Sequence, residues 1–255
     1  MDSVTFCYRI VRRLVQIVSP KLTLTGTLPD GPSVLVANHT QMYGPIGCEL
    51  YLPGDRAIWC AGQMMKLREV PGYAFEDFWS LKPRWTRPFY RLLSYLIAPL
   101  SVLIFNHAHT IPVYRDNRVL TTFRMSVEKL SQGGRVVIFP EKNEPYNNIL
   151  YEFQDRFIDL GRLYCKKTGQ PLSFVPMYIA PKLKRIVVGE PVRYDPSAPP
   201  AEERERVCRA LMERITALAA AQPLHTVVLY RNIRKRDYPK NLPVRDLRQA
   251  GEVSK

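Results

Sequence analysis

Residues 4–18 carry the clearest repeating pattern of apolar and polar positions in the chain. The apolar positions recur every three or four residues, at Val4, Cys7, Ile10, Val11, Leu14, Val15 and Val18. The opposite face holds Arg9, Arg12, Arg13 and Gln16. This spacing predicts a basic amphipathic α-helix. Such a helix either lies in an anionic lipid interface with its arginines at head-group level, or packs on a domain core with its basic face in water.

After residue 20 the pattern changes to short β-type runs that alternate with helical ones. Apolar alternation or continuous apolar runs predict strands over 21–26, 33–37, 110–114, 135–139, 172–179 and 186–192. Helical spacing predicts helices over 119–130, 149–167 and 201–221, and the stretch 44–100 is mostly helical or irregular. This order predicts a single α/β domain with a mostly parallel or mixed central sheet covered by helices. The chain is accordingly divided into an amphipathic helix (1–20), the α/β domain (21–225) and a basic tail (226–255).

Composition and charge narrow the class of partner. An apolar fraction of 46% in 255 residues is enough for a substantial core and excludes general disorder. Lys and Arg number 37 against 23 Asp and Glu, so the net charge of +14 predicts an anionic partner, either nucleic acid or anionic lipid. Because no helix-turn-helix, zinc-finger or aromatic RNA-reading signature is present, a membrane surface is predicted and nucleic acid is not. Nothing in the sequence predicts an oligomeric state.

The cysteines and the apolar runs predict a compartment. Five cysteines without a CxxC spacing predict neither a disulfide framework nor a zinc module, and they fit a reducing cytosol. The longest uncharged apolar stretch, 92–105, has 14 residues, short of the roughly 20 that a spanning helix needs, so it is buried or interfacial. Aromatic residues interleaved with Lys and Arg over 73–95 form either core or an interfacial belt. We expect a peripheral or monotopic protein on the cytoplasmic face of the membrane, without a signal peptide.

Four short segments carry candidate chemistry. Asn38-His39 follows the strand 33–37, and a histidine at the carboxyl end of a buried strand is well placed to act as a general base. The strand 110–114 delivers Arg115, whose planar fork can grip a phosphate. The strand 135–139 leads to Pro140-Glu141, and Val175-Pro176 lies within the strand 172–179. No metal site is predicted, since His107 and His109 lack a third ligand.

In this order the four segments resemble the blocks of the lysophospholipid acyltransferase superfamily, whose best-known members are the 1-acylglycerol-3-phosphate O-acyltransferases. Asn38-His39 is similar to the NHxxxxD block, 111–115 to the block ending in arginine, 139–141 to FPEG and Val175-Pro176 to the VP block. The resemblance implies a phospholipid-synthesis enzyme that transfers a fatty acyl group from acyl-CoA or acyl-carrier protein to a hydroxyl of a glycerol phosphate or lysophospholipid. It implies no metal, no cofactor beyond the thioester co-substrate and no covalent acyl-enzyme.

The resemblance also implies roles for single residues. His39 would be the catalytic general base that removes the proton from the acceptor hydroxyl. The substrate-binding residues would be Asn38, Arg115 and Glu141. Of these, Arg115 would hold the acceptor phosphate, Glu141 would help shape the acceptor pocket, and Asn38 together with Pro140 would set the local backbone.

The sequence departs from the family pattern at two places. Gly44 stands where the block has its aspartate, the residue that orients the imidazole. In the serine-protease triad, loss of the analogous carboxylate lowers turnover about 10⁴-fold. The candidate substitutes are Glu49, Asp55, Glu76 and Asp77. FPEGTR reads Phe-Pro-Glu-Lys-Asn-Glu over 139–144, so Lys142 is the nearest replacement for the arginine, although an ammonium lacks the bidentate fork. The alternative hypothesis is a catalytically impaired relative that binds lipid or regulates.

Overall fold

The computed structural model describes residues 3–80, 82–114, 116–231 and 233–242. It divides into two compact units, the first formed by Met1–Val18 and Ala57–Ser126 and the second by Ser19–Arg56 and Val127–Lys255. The helices are α1 Ser3–Val18, α2 Tyr43–Tyr51, α3 Val70–Ala74, α4 Arg87–His107, α5 Val119–Ser131, α6 Asp159–Thr168 and α7 Pro200–Ala220. The strands are β1 Thr23–Thr25, β2 Ser33–Ala37, β3 Arg56–Ala61, β4 Thr110–Val113, β5 Arg135–Ile138, β6 Glu141–Pro145, β7 Tyr151–Phe153, β8 Ser173–Ala180, β9 Arg185–Val188 and β10 Val192–Arg193.

The second unit is built on a mixed sheet with strand order β1-β9-β8-β2-β5. β2 runs parallel to both β5 and β8, and β1 runs parallel to β9, whereas β9 and β10 are antiparallel to β8. All five residues of β2 are buried, as expected for a central strand with both faces covered. A separate antiparallel pair, β6 and β7, follows directly after β5.

Helix α7 covers the sheet of the second unit through a single apolar stripe. Val207, Leu211, Ile215 and Ala219 recur at helical spacing and are fully buried, and α7 makes extensive contact with β8. The helix begins at Pro200, where proline is tolerated because the first N–H of a helix needs no intrahelical partner. This packing holds β8, the parallel neighbour of β2, and the carboxyl end of β2 leads to Asn38 and His39.

The first unit contains a parallel pair, β3 and β4, together with α1, α3 and α4. Met64, Val70, Ala74 and Ala98 form its buried cluster. Helix α4 turns its small residues Ser94, Ala98 and Ser101 toward the protein, and Ser101 Oγ donates a 2.9 Å hydrogen bond to the Met64 carbonyl. Ile97, Val102 and Phe105 pack against the same cluster, but many of the large apolar residues of α4 are exposed, which is unusual for a helix that packs on a core.

Most of the predicted elements are confirmed, including the α/β class, the sheet that is mostly parallel, the flanking helices and the N-terminal amphipathic helix. The predicted helix over 149–167 is wrong in its first part, where β7 forms and α6 begins only at Asp159. Asn147 Oδ1 accepts the backbone N–H groups of Ile149 and Leu150, so this part of the chain has partners outside a helix. The strand β3 lies within a stretch expected to be helical or irregular. The division at residues 20 and 225 stays a prediction.

Candidate active site

The candidate site lies in the loop that connects β2 to α2 in the second unit. Here Thr40 and Gln41 have φ angles of 46° and 56°, in the left-handed region that residues other than glycine seldom adopt. Each such residue costs on the order of 1 kcal/mol, and this kind of strain is concentrated at functional sites. The Tyr43 N–H donates to the Thr40 carbonyl at 3.1 Å, which closes the turn. The chain therefore makes a sharp turn immediately after His39.

Glu141 holds the backbone of His39 in place. One carboxylate oxygen accepts the His39 N–H at 2.6 Å and the other accepts the Tyr151 N–H at 2.8 Å. The side chain is only 4% exposed, and burial raises its pKa to about 7, against the two backbone bonds that favour the ionised form. Glu141 thus ties the end of β2 to the β6–β7 pair. Its predicted role as a substrate-binding residue stays a prediction.

Asn38 joins the ends of two neighbouring strands. Its Nδ2 donates to the Ile179 carbonyl at 3.1 Å and its Oδ1 accepts the Ile179 N–H at 2.7 Å. The residue is 2% exposed, so both bonds are shielded from water. Asn38 therefore bonds the chain just before His39 to the end of β8. Whether it also touches substrate stays a prediction.

The imidazole of His39 packs between two aromatic rings. Phe139 lies 5.2 Å from it, centroid to centroid, and Tyr230 lies at 5.5 Å, both in edge-on geometry. The residue as a whole is half-buried. Burial lowers the pKa of His39 to about 4, so the imidazole is neutral at neutral pH and is able to accept a proton.

Among the residues that the structure describes, no carboxylate bonds Nδ1 of His39 in place of the aspartate of the resembled block. Nδ1 of His39 is buried and has no hydrogen-bond partner in the described part of the chain, so none of the four candidate carboxylates reaches it. Glu49 pairs with Arg56 at 3.7 Å and Asp55 with Lys129 at 2.8 Å, while Glu76 and Asp77 belong to the first unit.

Gly44 packs closely against the backbone of His39. A Cβ at this position would lie 2.3 Å from the His39 carbonyl oxygen and 3.0 Å from the Phe139 ring. Contacts of 2.3 Å are closer than van der Waals packing permits, so the first turn of α2 rests directly against the His39 backbone. The space that an aspartate side chain would enter is filled by the chain itself.

Lys142, the candidate replacement for the family arginine, is paired within the β6–β7 hairpin. Its Nζ lies 2.7 Å from Glu144 and 3.5 Å from Glu152, and its hydrogen bond to Glu144 raises the pKa of the lysine. A paired ammonium offers less charge to a phosphate. Arg115, the predicted phosphate-binding residue, lies outside the described residues, and its role stays a prediction.

The first unit presents an extended apolar surface, which we call the α1–α4 surface. From α1 it exposes Phe6, Ile10, Leu14 and Ile17, and from α4 it exposes Phe89, Leu92, Tyr95, Leu96 and Leu100. The two helices contact one another. The segment 84–107 is long and apolar enough to cross a membrane, by length and composition only, and is therefore longer than the 92–105 stretch considered from sequence. Arg87 and Arg91 lie in its first turns.

Sequence patterns alone missed Tyr230 and the segment that carries it. Residues 225–242, described except at 232 and called here the C-terminal strap, pack on the second unit through buried Val227, Val228 and Leu229. Gln41 Nε2 donates to Tyr238 Oη at 2.7 Å, which brings a second part of the strap to the His39 loop. The apolar run 227–230 before the basic cluster is the signal that could have indicated this packing.

Comparison with known proteins adds a structural likeness. No protein-family model and no curated protein sequence matches the chain. Among solved structures, the chain is similar to the 1-acyl-sn-glycerophosphate (LPA) acyltransferase PlsC from Thermotoga maritima. The identity is 16% and the TM-score is 0.42, over 82% of this chain and 77% of that one.

Proposed function

We propose that the protein is an O-acyltransferase that moves a fatty acyl group from a thioester donor to a hydroxyl of a glycerol phosphate or lysophospholipid. The observation that carries this proposal is the neutral, half-buried imidazole of His39 at the carboxyl end of β2, with its backbone bonded to Glu141. The four sequence segments that resemble the acyltransferase blocks support the same chemistry. The donor is acyl-CoA or acyl-carrier protein.

In the proposed reaction the acceptor oxygen attacks the thioester carbonyl while His39 takes the hydroxyl proton. Because Nδ1 is buried, the nitrogen that accepts the proton is Nε2. The C–S bond then breaks, and the departing thiolate takes the proton back from the imidazolium. No metal and no covalent acyl-enzyme are needed. A pKa near 4 makes His39 a weak base, so proton transfer accompanies attack instead of preceding it.

An assay of acyl transfer with His39→Ala tests this proposal. The expected result is a fall in kcat of about 100-fold or more, since a positioned general base contributes roughly 10²- to 10⁴-fold. His109→Ala, at an exposed position of the first unit, is the matched control and should keep the wild-type rate. Equal rates for His39→Ala and wild type would refute the enzyme proposal.

The same site supports a second candidate, a lipid-binding or regulatory protein without transferase activity. The observation that favours it is the Nδ1 atom without a carboxylate partner, since the imidazolium that forms during transfer would lack its stabilising charge. This candidate predicts that wild type and His39→Ala bind lysophospholipid equally and that neither transfers an acyl group. The transfer assay above separates the two.

We also propose that the α1–α4 surface docks on the cytoplasmic face of an anionic membrane as a monotopic contact. Large apolar side chains point outward from α4 while its serines face the protein, an arrangement that is favourable in lipid and unfavourable in water. Basic residues on α1 and at the start of α4 lie near the exposed apolar residues in sequence. Each basic residue that meets an anionic head group contributes about 1 kcal/mol. Net positive charge supports the same partner.

Vesicle co-sedimentation tests the docking proposal. Binding to anionic vesicles should exceed binding to neutral ones and should fall with salt and on removal of residues 1–18. Leu96→Glu on α4 should weaken binding, whereas Leu224→Glu, on the second unit, should not. The two leucines are 68% and 66% exposed, so a difference in vesicle binding between the variants reflects where the leucine lies and not how exposed it is. Equal loss from both variants, or indifference to lipid charge, would refute the proposal.

A further inference from the structure

The C-terminal strap is anchored at several points on the second unit. His225 Nε2 lies 2.8 Å from the hydroxyl of Tyr178 on β8, and Asn241 Nδ2 donates to the Ala219 carbonyl at 2.8 Å. Asn241 Oδ1 accepts the His225 N–H at 2.9 Å, which joins the two arms of the strap. A bridge between Thr226 and Lys240 pairs the arms again. Tyr230 is therefore presented by a segment with its own polar and apolar anchors.

Tyr230 contacts both His39 and Tyr151. The Tyr230 ring packs edge-on against the imidazole, and its centroid also lies 5.8 Å from that of the Tyr151 ring. Tyr151 in turn shares Glu141 with His39 through their backbone N–H groups. The imidazole is thus fixed through its main chain by Glu141 and through its ring plane by Tyr230 and Phe139.

We infer that Tyr230 is a positioning residue that fixes the plane of the His39 imidazole by ring packing, where the resembled motif uses an aspartate. The inference rests on the proposed function, because it assigns Tyr230 a part in presenting the same base. Edge-on aromatic pairs contribute about 0.5–1.5 kcal/mol beyond the area that they bury. That is enough to favour one ring orientation, in addition to the backbone hydrogen bond with Gln41 that opposes the effect of burial on the His39 pKa.

Ring packing and a carboxylate have different consequences for the base. A carboxylate would stabilise the imidazolium, whereas aromatic neighbours exclude water and favour the neutral ring. The ionisable groups around His39 are Glu141 on β6, Tyr151 on β7 and Tyr230 on the strap, and Arg231, next to Tyr230, lies close enough for its charge to act on the pKa of Tyr151. Removing the Tyr230 ring should therefore admit water to the imidazole and change both its orientation and its titration.

The test measures the His39 titration by NMR of ¹⁵N-histidine-labelled full-length protein, alongside acyl transfer. His39→Ala identifies the His39 signal, and the other three histidines of the chain are internal references. In Tyr230→Ala the pKa of His39 should rise by about one or more, and kcat should fall about tenfold to a hundredfold at unchanged KM. Tyr230→Phe, which keeps the ring, should restore wild-type values of both.

Lys240→Ala is the matched control within the strap, because Lys240 is exposed and, among the described residues, its ammonium donates to Thr226 Oγ1. It should leave the titration and the rate unchanged. If circular dichroism shows that Tyr230→Ala is unfolded, Tyr230→Leu replaces it, since leucine fills volume without an aromatic edge. An unchanged pKa of His39 in the folded variant would overturn the inference, and so would equal losses in Tyr230→Phe and Tyr230→Ala. The titration decides the inference even if the protein transfers no acyl group.

Discussion

Replacing Glu141 by glutamine should change the pH dependence of stability in a defined direction. Burial raises the pKa of this carboxyl from its ordinary 4.5 to about 7 in the folded protein. Between these two pH values the folded protein holds a proton that the unfolded chain has released. The free energy of unfolding therefore falls as pH rises through this window, and the loss is complete above the folded pKa. From near pH 5 to near pH 8.5 the loss is about 2–3 kcal/mol.

Glutamine cannot ionise, so Glu141→Gln should lack this loss. Near pH 5 the variant should be less stable than wild type by about 1–3 kcal/mol. Two backbone N–H groups donate to the Glu141 carboxyl, and in the variant one of them faces the amide NH₂, which is itself a donor. Near pH 8.5 the deficit should be smaller by about 2–3 kcal/mol, or should reverse. His39 has the opposite dependence, because its stabilising effect is lost as pH falls from 6.5 to about 4. The effect of His39 is present in both wild type and Glu141→Gln, so it cancels in the difference between their free energies of unfolding.

Urea denaturation at the two pH values, for wild type and Glu141→Gln, measures this effect. Glu213→Gln, at an exposed position of α7, is the control and should remain parallel to wild type. A difference between wild type and Glu141→Gln that stays constant from pH 5 to 8.5 would refute the reasoning, because Glu141 would then titrate alike in the folded and unfolded states.

Three further results are expected. Asn38→Ala should lower the free energy of unfolding by about 2–4 kcal/mol, because it leaves the buried Ile179 N–H and carbonyl unpaired; a loss under 1 kcal/mol in urea denaturation would contradict this. Gly44→Asp should destabilise by about 1–3 kcal/mol without raising kcat, since its Cβ meets the His39 carbonyl; a faster variant would show that the carboxylate reaches the imidazole. The acid limb of the pH profile of kcat/KM should lie near 4 for a neutral His39 base, and a limb near 6.5 would exclude the buried environment described for it.

The position of His39 could be predicted because it depends on local pattern. A continuous apolar run over 33–37 predicts a buried strand, and the structure places β2 there with both faces covered. Residues after such a strand gather at the carboxyl edge of the sheet, so Asn38 and His39 were candidates without coordinates. The helix α7 was predictable for the same reason, since its stripe repeats at helical spacing.

The β6–β7 hairpin could not be predicted from the same kind of pattern. Residues 141–145 are mostly polar and exposed, and they resemble a loop. The pair forms because Glu141 accepts the Tyr151 N–H and the side chain of Asn147 holds the turn between the two strands. These bonds depend on single side chains, so no periodic pattern in the sequence predicts them.

The amino-acid sequence by itself determined most of the strands and helices and the segment that carries His39, because strands and helices have side-chain periods of two and 3.6 residues that are visible in neighbouring positions. Tertiary structure alone decided what surrounds the imidazole. Tyr230 arrives from the other end of the chain, and the Gly44 backbone occupies the space of an aspartate. Contacts between residues so distant in sequence depend on how the elements pack, which no local pattern records.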